Sequence, residues 1–187
     1  LDTPGSFDFV GEVEEAVSAA DAAVIVVSGK NGIEVGTEKA WELCDKYNLP
    51  RFIFVTDMDI DNASFKNVVE EMTDKYGKKM APFHFPIREN EKFVGYVNVI
   101  AEKAYRWEGK DAVECEIPDY SKENLTLYRD TLMEAVAETS EDMMERYFNG
   151  ETFSEAEIRA ALRTNVDECS IVPMSMGSSV LCQGVYT

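Results

Sequence analysis

The chain has 187 residues, of which 36 are acidic and 18 are basic, so its formal net charge at pH 7 is −18. A content of 45% hydrophobic and 11% aromatic residues excludes intrinsic disorder, because such a chain can bury a core. The acidity argues against direct binding of nucleic acid, since a polyanion repels the phosphate backbone. The sequence has neither a basic run that would bind anionic lipid nor an apolar stretch of roughly 18 residues that could span a membrane.

The cysteines and the two ends of the chain carry separate information. No C-x-x-C pair occurs, so neither a zinc site nor a dithiol redox motif is indicated, and the thiols are expected to stay reduced in an intracellular protein. The chain begins at Leu1 without a methionine and ends at Tyr186-Thr187 directly after a turn signal. We therefore expect a piece of a longer protein, with one domain or one domain that carries an insertion. The cysteines are Cys44, Cys115, Cys169 and Cys182.

The first third of the chain alternates between helical and strand periodicity. An amphipathic helix is predicted over about residues 8–20, and the apolar run from Ala22 to Ser28 predicts a strand buried on both faces of a parallel sheet. Thr37 is expected to cap a second helix and Asn62 a third, on either side of a second buried strand from Arg51 to Thr56. Helices that alternate with apolar strands predict parallel strands joined by helical crossovers.

After about residue 79 the pattern changes to that of a small antiparallel sheet. Alternating apolar residues predict strands in the runs 83–87, 93–99 and 113–117. In the last of these runs the glutamates alternate with apolar residues that are expected to form one dry face, namely Val113, Cys115 and Ile117.

The final part returns to helices and then to a strand. One long helix is predicted over about residues 123–148, Ser154 with Glu157 forms a capping box for a shorter helix, and Ser170 to Met174 has strand character. The predicted fold is therefore α/β, a parallel sheet with helices on both faces that is interrupted by a smaller α+β inserted subdomain. The expected parts are the α/β core, the inserted subdomain, and the last core strand with the start of a final helix, at residues 1–78, 79–169 and 170–187.

Three polar motifs are predicted to follow strands of the parallel sheet, where ligands bind in open α/β folds. An aspartate at such a place can hold Mg²⁺ through water, a glycine N–H can reach a terminal phosphate, and Asp59 could accept paired N–H donors from a guanine edge. Taken singly, each motif is a weak signal that an ordinary turn also explains, and for Asp59 the pattern alone favours a carboxylate near a helix start. Three such motifs after strands of one sheet make a stronger case than any one of them. The motifs are Asp2-Thr3-Pro4-Gly5, Thr56-Asp57-Met58-Asp59 and Gly177-Ser178-Ser179.

Other kinds of chemistry find little support in the sequence. The phosphate-cradling pattern G-x-x-x-x-G-K-[ST] does not occur in these residues. His84 is the single histidine and thus the one possible base for a Ser-His-Asp triad. It lies in a strand flanked by phenylalanines, where a packed or edge histidine is expected rather than a catalytic one.

The order of four sequence blocks resembles the second half of the GTP-binding domain of bacterial elongation factor G and its elongation-factor-G-like relatives. The resemblance spans essentially all 187 residues. It implies a partial P-loop GTPase-type, Rossmann-like sheet that an inserted subdomain interrupts at about residues 79–169. The blocks are LDTPG-x-FDF-x-GEV-x-x-A, D-x-AVIVVS-x-x-x-G-x-E-x-x-TE-x-x-W, PFHFPI-x-x-x-x-x-F-x-G and IVPMSMGSS.

Carried over residue by residue, the resemblance implies that the parent protein binds GTP or GDP together with Mg²⁺. Asp2 would be the Mg²⁺ ligand through water, Gly5 the γ-phosphate sensor, and Asp59 the acceptor for guanine N1 and N2. Ser178 and Ser179 would donate backbone N–H groups near guanine O6. The parent would be cytoplasmic and hydrolyse GTP on the ribosome to drive translocation or a related step, whereas this acidic fragment would contact neither nucleic acid nor membrane.

Three residues depart from the family pattern. Ser6 stands where the family has a histidine after the glycine, so no catalytic residue is assigned. Thr56 and Asp57 stand where the family has the asparagine and lysine of Asn-Lys-x-Asp. Asp57 adds negative charge near an anionic ligand, so the nucleotide site is expected to be weakened or altered. The fragment lacks the family's phosphate loop and first switch, and is expected neither to bind GTP tightly nor to hydrolyse it alone.

Two functions therefore stay open. The parent is either a ribosome-stimulated GTPase, or a degenerate paralogue that docks on the ribosome or on another protein and binds nucleotide weakly or with altered preference. An unrelated α/β domain is a third possibility, which the ordered blocks disfavour.

Overall fold

Two four-stranded sheets, one parallel and one antiparallel, hold the strands of the described residues. The structure, a computed structural model, describes residues 1–77, 80–109 and 111–185. The strands are β1 (Ala23–Ser28), β2 (Arg51–Thr56), β3 (Met80–Pro82), β4 (His84–Glu89), β5 (Lys92–Asn98), β6 (Lys103–Glu108), β7 (Asp111–Cys115) and β8 (Val172–Met176). The parallel sheet has the order β1-β2-β8-β3, and the antiparallel sheet has the order β4-β5-β6-β7.

Helices connect and cover these strands. Two 3₁₀ turns, Phe7–Phe9 and Asp119–Ser121, precede the first and the fourth α-helix. The predicted boundary between residues 78 and 79 and the terminal Tyr186-Thr187 lie outside the described residues. The α-helices are α1 (Val10–Ser18), α2 (Val35–Lys46), α3 (Phe65–Tyr76), α4 (Lys122–Ala137), α5 (Glu141–Phe148) and α6 (Glu155–Asp167).

The parallel sheet is built on the apolar runs that predicted it. β1 pairs with β2 from Ala23 opposite Arg51 onward, and β2 pairs with β8, which confirms the α/β fold with a parallel sheet. The expectation that β1 is buried on both faces is wrong. Ile25 and Val27 lie in the core, where α2 contacts the strand, whereas the side chains on the opposite face, Val24 and Val26, are 64% and 60% exposed.

The antiparallel sheet begins later than the change of sequence pattern suggests. β3 pairs in parallel with β8, so the first strand after residue 79 belongs to the parallel sheet. The antiparallel hairpins then run from His84 to Cys115. The expectation that Val113 faces the core is also wrong, because β7 is an edge strand and this side chain is 45% exposed.

The long helix predicted over residues 123–148 is two helices, α4 and α5. The break falls at Thr139 and Ser140, where the backbone of Ser140 is extended and its hydroxyl accepts a hydrogen bond from Met143 N. Serine and threonine hydroxyls compete for backbone groups in this way, so they favour a new helix start over a continued helix. The capping box of Ser154 and Glu157 at the start of α6 is confirmed.

Other helix starts differ from the prediction by a few residues. The N-cap of α2 is Glu34, and Thr37 is the third helical residue of a reversed capping box instead of the cap. The N-cap of α3 is Ser64, which accepts from Asn67 N, and not Asn62, whose φ of 64° places it in a left-handed turn. α1 is shorter than predicted and buries none of its residues.

Candidate functional site

The loops that follow β1, β2 and β8 meet at the carboxyl edge of the parallel sheet. Gly29 N donates to Thr56 O over 2.9 Å, Gly177 N donates to Val55 O over 2.9 Å, and Met58 N donates to Gly177 O over 3.2 Å. These backbone hydrogen bonds hold the loop after β2 between its two neighbours. Two of the three predicted motifs, Thr56 to Asp59 and Gly177 to Ser179, are therefore adjacent in the structure.

The backbone of Asp57 turns sharply directly after β2. Its φ of 63° lies in the left-handed region, which is uncommon for a residue with a Cβ atom. The Ser28 hydroxyl at the end of β1 donates to Asp57 Oδ2 over 2.8 Å. The Asp57 carboxylate is thus bonded to the last residue of β1.

Asp59 follows a residue that anchors the loop. The Met58 side chain is fully buried and packs near the position where a Cβ atom on Gly29 would lie. Asp59 itself is partly exposed. The loop therefore combines a hydrogen-bonded backbone with a partly exposed acidic residue.

Ser178 and Ser179 are adjacent but differ in what their backbone groups do. Ser178 is fully buried, its N–H donates to Gln183 O over 2.9 Å, and its hydroxyl accepts from Leu181 N. Ser179 is exposed. Because the N–H of Ser178 is already engaged, the N–H of Ser179 is the better candidate for a donor to a ligand.

The first motif makes no hydrogen bond to these loops among the described residues. Residues 1–5 are exposed and have no regular secondary structure, and none of the hydrogen bonds of the described residues joins them to the loops after β1, β2 or β8. The Ser6 hydroxyl contacts Asp8 Oδ2 at 3.5 Å. The proposed roles of Asp2 and Gly5 thus find no geometric support within this chain, and Ser6 was assigned none.

A metal ion is implied by the resemblance to the family, and a complete site for it would need several oxygen ligands from the side chains present. Among the described residues, no group of three or more His, Cys, Asp and Glu side chains is placed to hold a metal ion. Asp2 is a lone exposed carboxylate, which suits a ligand acting through water but does not form a site by itself. The described residues do not fit a complete Mg²⁺ site, so no chemical step is derived through the metal.

His84 lies apart from the loops. Its Nδ1 is 3.2 Å from Ser175 Oγ, and its Nε2 is 3.2 Å from Asn98 Nδ2, so the ring joins the parallel sheet to the antiparallel one. Burial, together with the nearby Arg159 cation, lowers the pKa of His84 to about 4. A cavity of about 470 Å³ adjoins His84 and is lined by none of the residues from Thr56 to Asp59. His84 is thus partly buried on β4, an edge strand of the antiparallel sheet, which agrees with the expectation of a packed or edge histidine.

Two contacts at the site were missed by sequence reasoning. Ser28 is a polar residue at the end of an apolar strand, which is a signal that could have drawn attention to it. Arg88 on β4, in the antiparallel sheet, donates a hydrogen bond to the carbonyl of Met58 in the loop after β2. The two residues are 30 positions apart in the sequence. No local pattern predicts such a contact.

No helix among the described residues is long and apolar enough to cross a lipid bilayer.

Comparison with known proteins gives the same assignment along the whole chain. Residues 1–187 match the family described as the elongation factor Tu GTP binding domain. The chain is 39% identical to an elongation factor G from Neorickettsia sennetsu (strain ATCC VR-367 / Miyayama) over 189 residues, which cover 99% of this chain and 27% of that protein. A crystal structure of a protein from Thermus thermophilus superposes with a TM-score of 0.91 at 34% identity, covering 99% of this chain and 28% of the other. The chain thus spans about a quarter of the length of these relatives, and it belongs to the family of the elongation factor Tu GTP binding domain.

Proposed function

We propose that this chain is the base-recognition part of an elongation-factor-G-like GTP-binding protein. The observation that carries the proposal is the hydrogen-bonded junction of the loops after β2 and β8, which places Asp59 and Ser179 at one edge of the sheet. In this proposal the Asp59 carboxylate accepts from guanine N1 and N2, and the Ser179 N–H donates to guanine O6. Thr56, Asp57 and Ser178 shape the surrounding loops.

The proposal extends to the longer protein of which this chain would be a part. That protein would be cytoplasmic, bind GTP or GDP with Mg²⁺, and hydrolyse GTP on the ribosome to drive translocation or a related step. Asp2 and Gly5 would contribute to the Mg²⁺ and γ-phosphate contacts only together with residues outside this chain. The 187 residues alone would then neither bind GTP tightly nor hydrolyse it, because most phosphate affinity comes from a phosphate loop that they do not contain.

One observation favours the alternative of a docking module with weak or altered nucleotide binding. The Asp57 carboxylate stands at the position of the family's lysine and is held in place by Ser28. A fixed negative charge beside the base site disfavours an anionic nucleotide. The alternative would leave docking on the ribosome or on another protein as the main activity.

A titration of the isotope-labelled chain with GDP, followed by NMR, tests base recognition even when binding is weak. We expect amide shifts confined to the loops after β1, β2 and β8 with millimolar GDP, and smaller shifts with ADP. Asp59→Ala should abolish the GDP response, whereas Asp130→Ala, an exposed carboxylate on α4, should leave it intact. Equal responses to GDP and ADP, or shifts at unrelated surfaces, would contradict the proposal.

A second measurement separates the two candidate functions. The longer protein is assayed for GTP hydrolysis with and without ribosomes, and for ribosome binding with and without nucleotide. Stimulated hydrolysis supports the GTPase, and ribosome binding that is independent of nucleotide supports the docking module. Tight, Mg²⁺-dependent binding of a labelled GTP analogue to the 187-residue chain would contradict our expectation that this chain is inactive alone.

A further inference from the structure

The guanidinium of Arg88 bonds the loop after β2 at several backbone carbonyl groups. Nη1 donates to Met58 O over 3.1 Å and to Ala63 O over 2.8 Å. Nη2 donates to Ile60 O over 3.4 Å and also to Glu91 O in the turn after β4. Arg88, a residue of the antiparallel sheet, thus donates hydrogen bonds to backbone carbonyl groups near both ends of the loop formed by residues 57–63.

Two of these carbonyls flank the residue proposed to bind the base. Met58 directly precedes Asp59 and Ile60 directly follows it, so Arg88 bonds the carbonyl group of each neighbour. The Met58 carbonyl belongs to the peptide group that joins Met58 to Asp59, and the Ile60 carbonyl belongs to the peptide group that joins Ile60 to Asp61. Met58 is also fixed through its buried side chain and through its N–H to Gly177 O. The backbone before and after Asp59 is therefore held by contacts that its neighbours make.

The position of Arg88 in its own sheet explains how it reaches the loop. The pairing of β4 with β5 shifts register between Ile87 and Arg88. Such an irregularity redirects the side chains that follow it. Ile87 is fully buried, whereas Arg88 is partly exposed and lies against the loop, and its own carbonyl accepts from the Tyr120 hydroxyl over 3.3 Å.

Arginine suits this arrangement in a way that lysine does not. Its planar guanidinium offers five N–H donors in a fixed geometry, whereas an ammonium group offers three donors on a flexible stem. Four carbonyl acceptors at distinct directions require the planar group, and hydrogen bonds from a charged donor are stronger than neutral ones. Arg88→Lys would keep the charge and lose most of the simultaneous contacts.

We propose that Arg88 is a positioning residue, which sets the orientation of Asp59 and thereby the preference for guanine over bases that lack its 2-amino group. This inference rests on the function proposed above, because it assigns Arg88 a role in the same base site. It also couples the antiparallel sheet to that site, since the residue that orients the loop belongs to β4.

The test compares Arg88→Lys and Arg88→Gln with the matched control Arg106→Gln. Arg106 lies on β6 of the same sheet and pairs with Glu89, and it donates to no carbonyl of the described loop at residues 57–63. Two measurements are made on the full chain. Hydrogen exchange reports the protection of the loop amides, including Met58 N and Ile60 N, and NMR titrations give the ratio of the Kd values for IDP and GDP.

We expect both Arg88 variants to lower loop protection and to reduce the IDP-to-GDP ratio of Kd by roughly threefold or more, because one charged hydrogen bond to the 2-amino group is lost or misdirected. Arg106→Gln should change neither quantity. General destabilisation would weaken both nucleotides equally and leave the ratio unchanged, which would overturn the proposal, as would unchanged loop protection. If the unaltered chain responds to neither nucleotide, both the proposed function and the role of Arg88 in base preference are refuted. Hydrogen exchange still shows in that case whether Arg88 orders the loop.

Discussion

The Ser28 hydroxyl donates a hydrogen bond to Asp57 Oδ2 over 2.8 Å and so joins the end of β1 to the first residue after β2. Asp57 adopts a left-handed backbone with a φ of 63°, and this contact contributes to holding it there. Asp57 is one of the residues predicted from the sequence to depart from the family pattern. Asp57 therefore has a specific hydrogen-bond partner on the neighbouring strand. A substitution of Asp57 by lysine would lose this hydrogen bond.

Restoring the family residues with Thr56→Asn and Asp57→Lys is expected to tighten guanine nucleotide binding by roughly tenfold, since the charge rises by about two units within a few ångströms of an anionic ligand. The lysine stem would also pack on the base. The GDP affinity is measured by NMR titration of the double variant. Asp130→Lys on α4 makes the same charge change outside the loops and controls for net charge. No gain over that control would count against Thr56 and Asp57 lying at the base.

Asp59→Asn is expected to change the preferred base from guanine to xanthine. A carboxylate accepts from guanine N1 and N2, whereas an amide can donate to the O2 of xanthine and still accept from N1. The relative affinity for GDP and xanthosine diphosphate should change by about tenfold or more in favour of the latter, because unpaired polar groups at a binding site are costly. Both affinities are measured for Asp61→Asn, an exposed residue of the same loop, as the control. An unaltered preference in Asp59→Asn would exclude a contact with the base edge.

Gly29→Ala is expected to destabilise the junction of the loops. A Cβ atom on Gly29 would lie 2.9 Å from Met58 Sδ and 3.0 Å from Thr56 O, closer than packed atoms allow. Because the carbonyl oxygen is part of the backbone, the loop must shift, at a cost of about 1–3 kcal/mol in the free energy of unfolding. Gly11→Ala is the control, since nothing lies near its Cβ position and an alanine in α1 should stabilise by about 0.5–1 kcal/mol. Equal effects of both substitutions in urea unfolding would refute the close packing.

The sequence predicted β1, β2 and β8 of the parallel sheet because these strands are continuous apolar runs bounded by turn residues. The motif from Thr56 to Asp59 was placed at the end of β2 by the same reasoning, and Thr56 is indeed the last residue of that strand. β3 was not predicted, since three residues are too few to show a period, and its pairing with β8 is a long-range choice. The exposure of Val24 could not be predicted either, because periodicity does not reveal which face of a strand is covered.

The contacts that organise the candidate site are less accessible to sequence reasoning. Asp57 and Ser28 are separated by 29 positions, and Met58 and Arg88 by 30. Whether such residues meet depends on strand order and on the irregularity in β4, neither of which leaves a local pattern. The sequence could therefore indicate which residues stand at the sheet edge, but not which side chains fix their orientation. The roles of Asp59 and Ser179 toward a nucleotide remain predictions.

The break between α4 and α5 gives a prediction about stability. Ser140→Ala removes the hydroxyl that accepts from Met143 N and should lower the free energy of unfolding by about 1 kcal/mol. Ser154→Ala removes the corresponding cap of α6 and should cost a similar amount. Ser170→Ala, an exposed serine outside a helix, is the control in urea unfolding. If Ser140→Ala is as harmless as the control, the α5 cap contributes nothing measurable.

His84 makes the stability of the chain depend on pH. Burial and the Arg159 cation lower its pKa from 6.5 to about 4, so in the folded protein the ring stays neutral over a range in which the unfolded chain binds a proton. This contribution to stability is fully present above about pH 6.5 and is lost as the pH falls toward 4, by about 3 kcal/mol in total, because one pKa unit corresponds to about 1.36 kcal/mol.

His84→Gln should remove this pH dependence while keeping polar groups near Ser175 and Asn98. Unfolding by urea is followed at several pH values between about 4 and 7.5, and the difference between the two proteins is taken at each pH, since carboxylates common to both then cancel. We expect the stability of the unaltered protein to fall more steeply on acidification than that of the variant. Parallel curves for the two proteins would show that His84 titrates in the folded state as it does in the unfolded one, and that its environment does not disfavour the imidazolium.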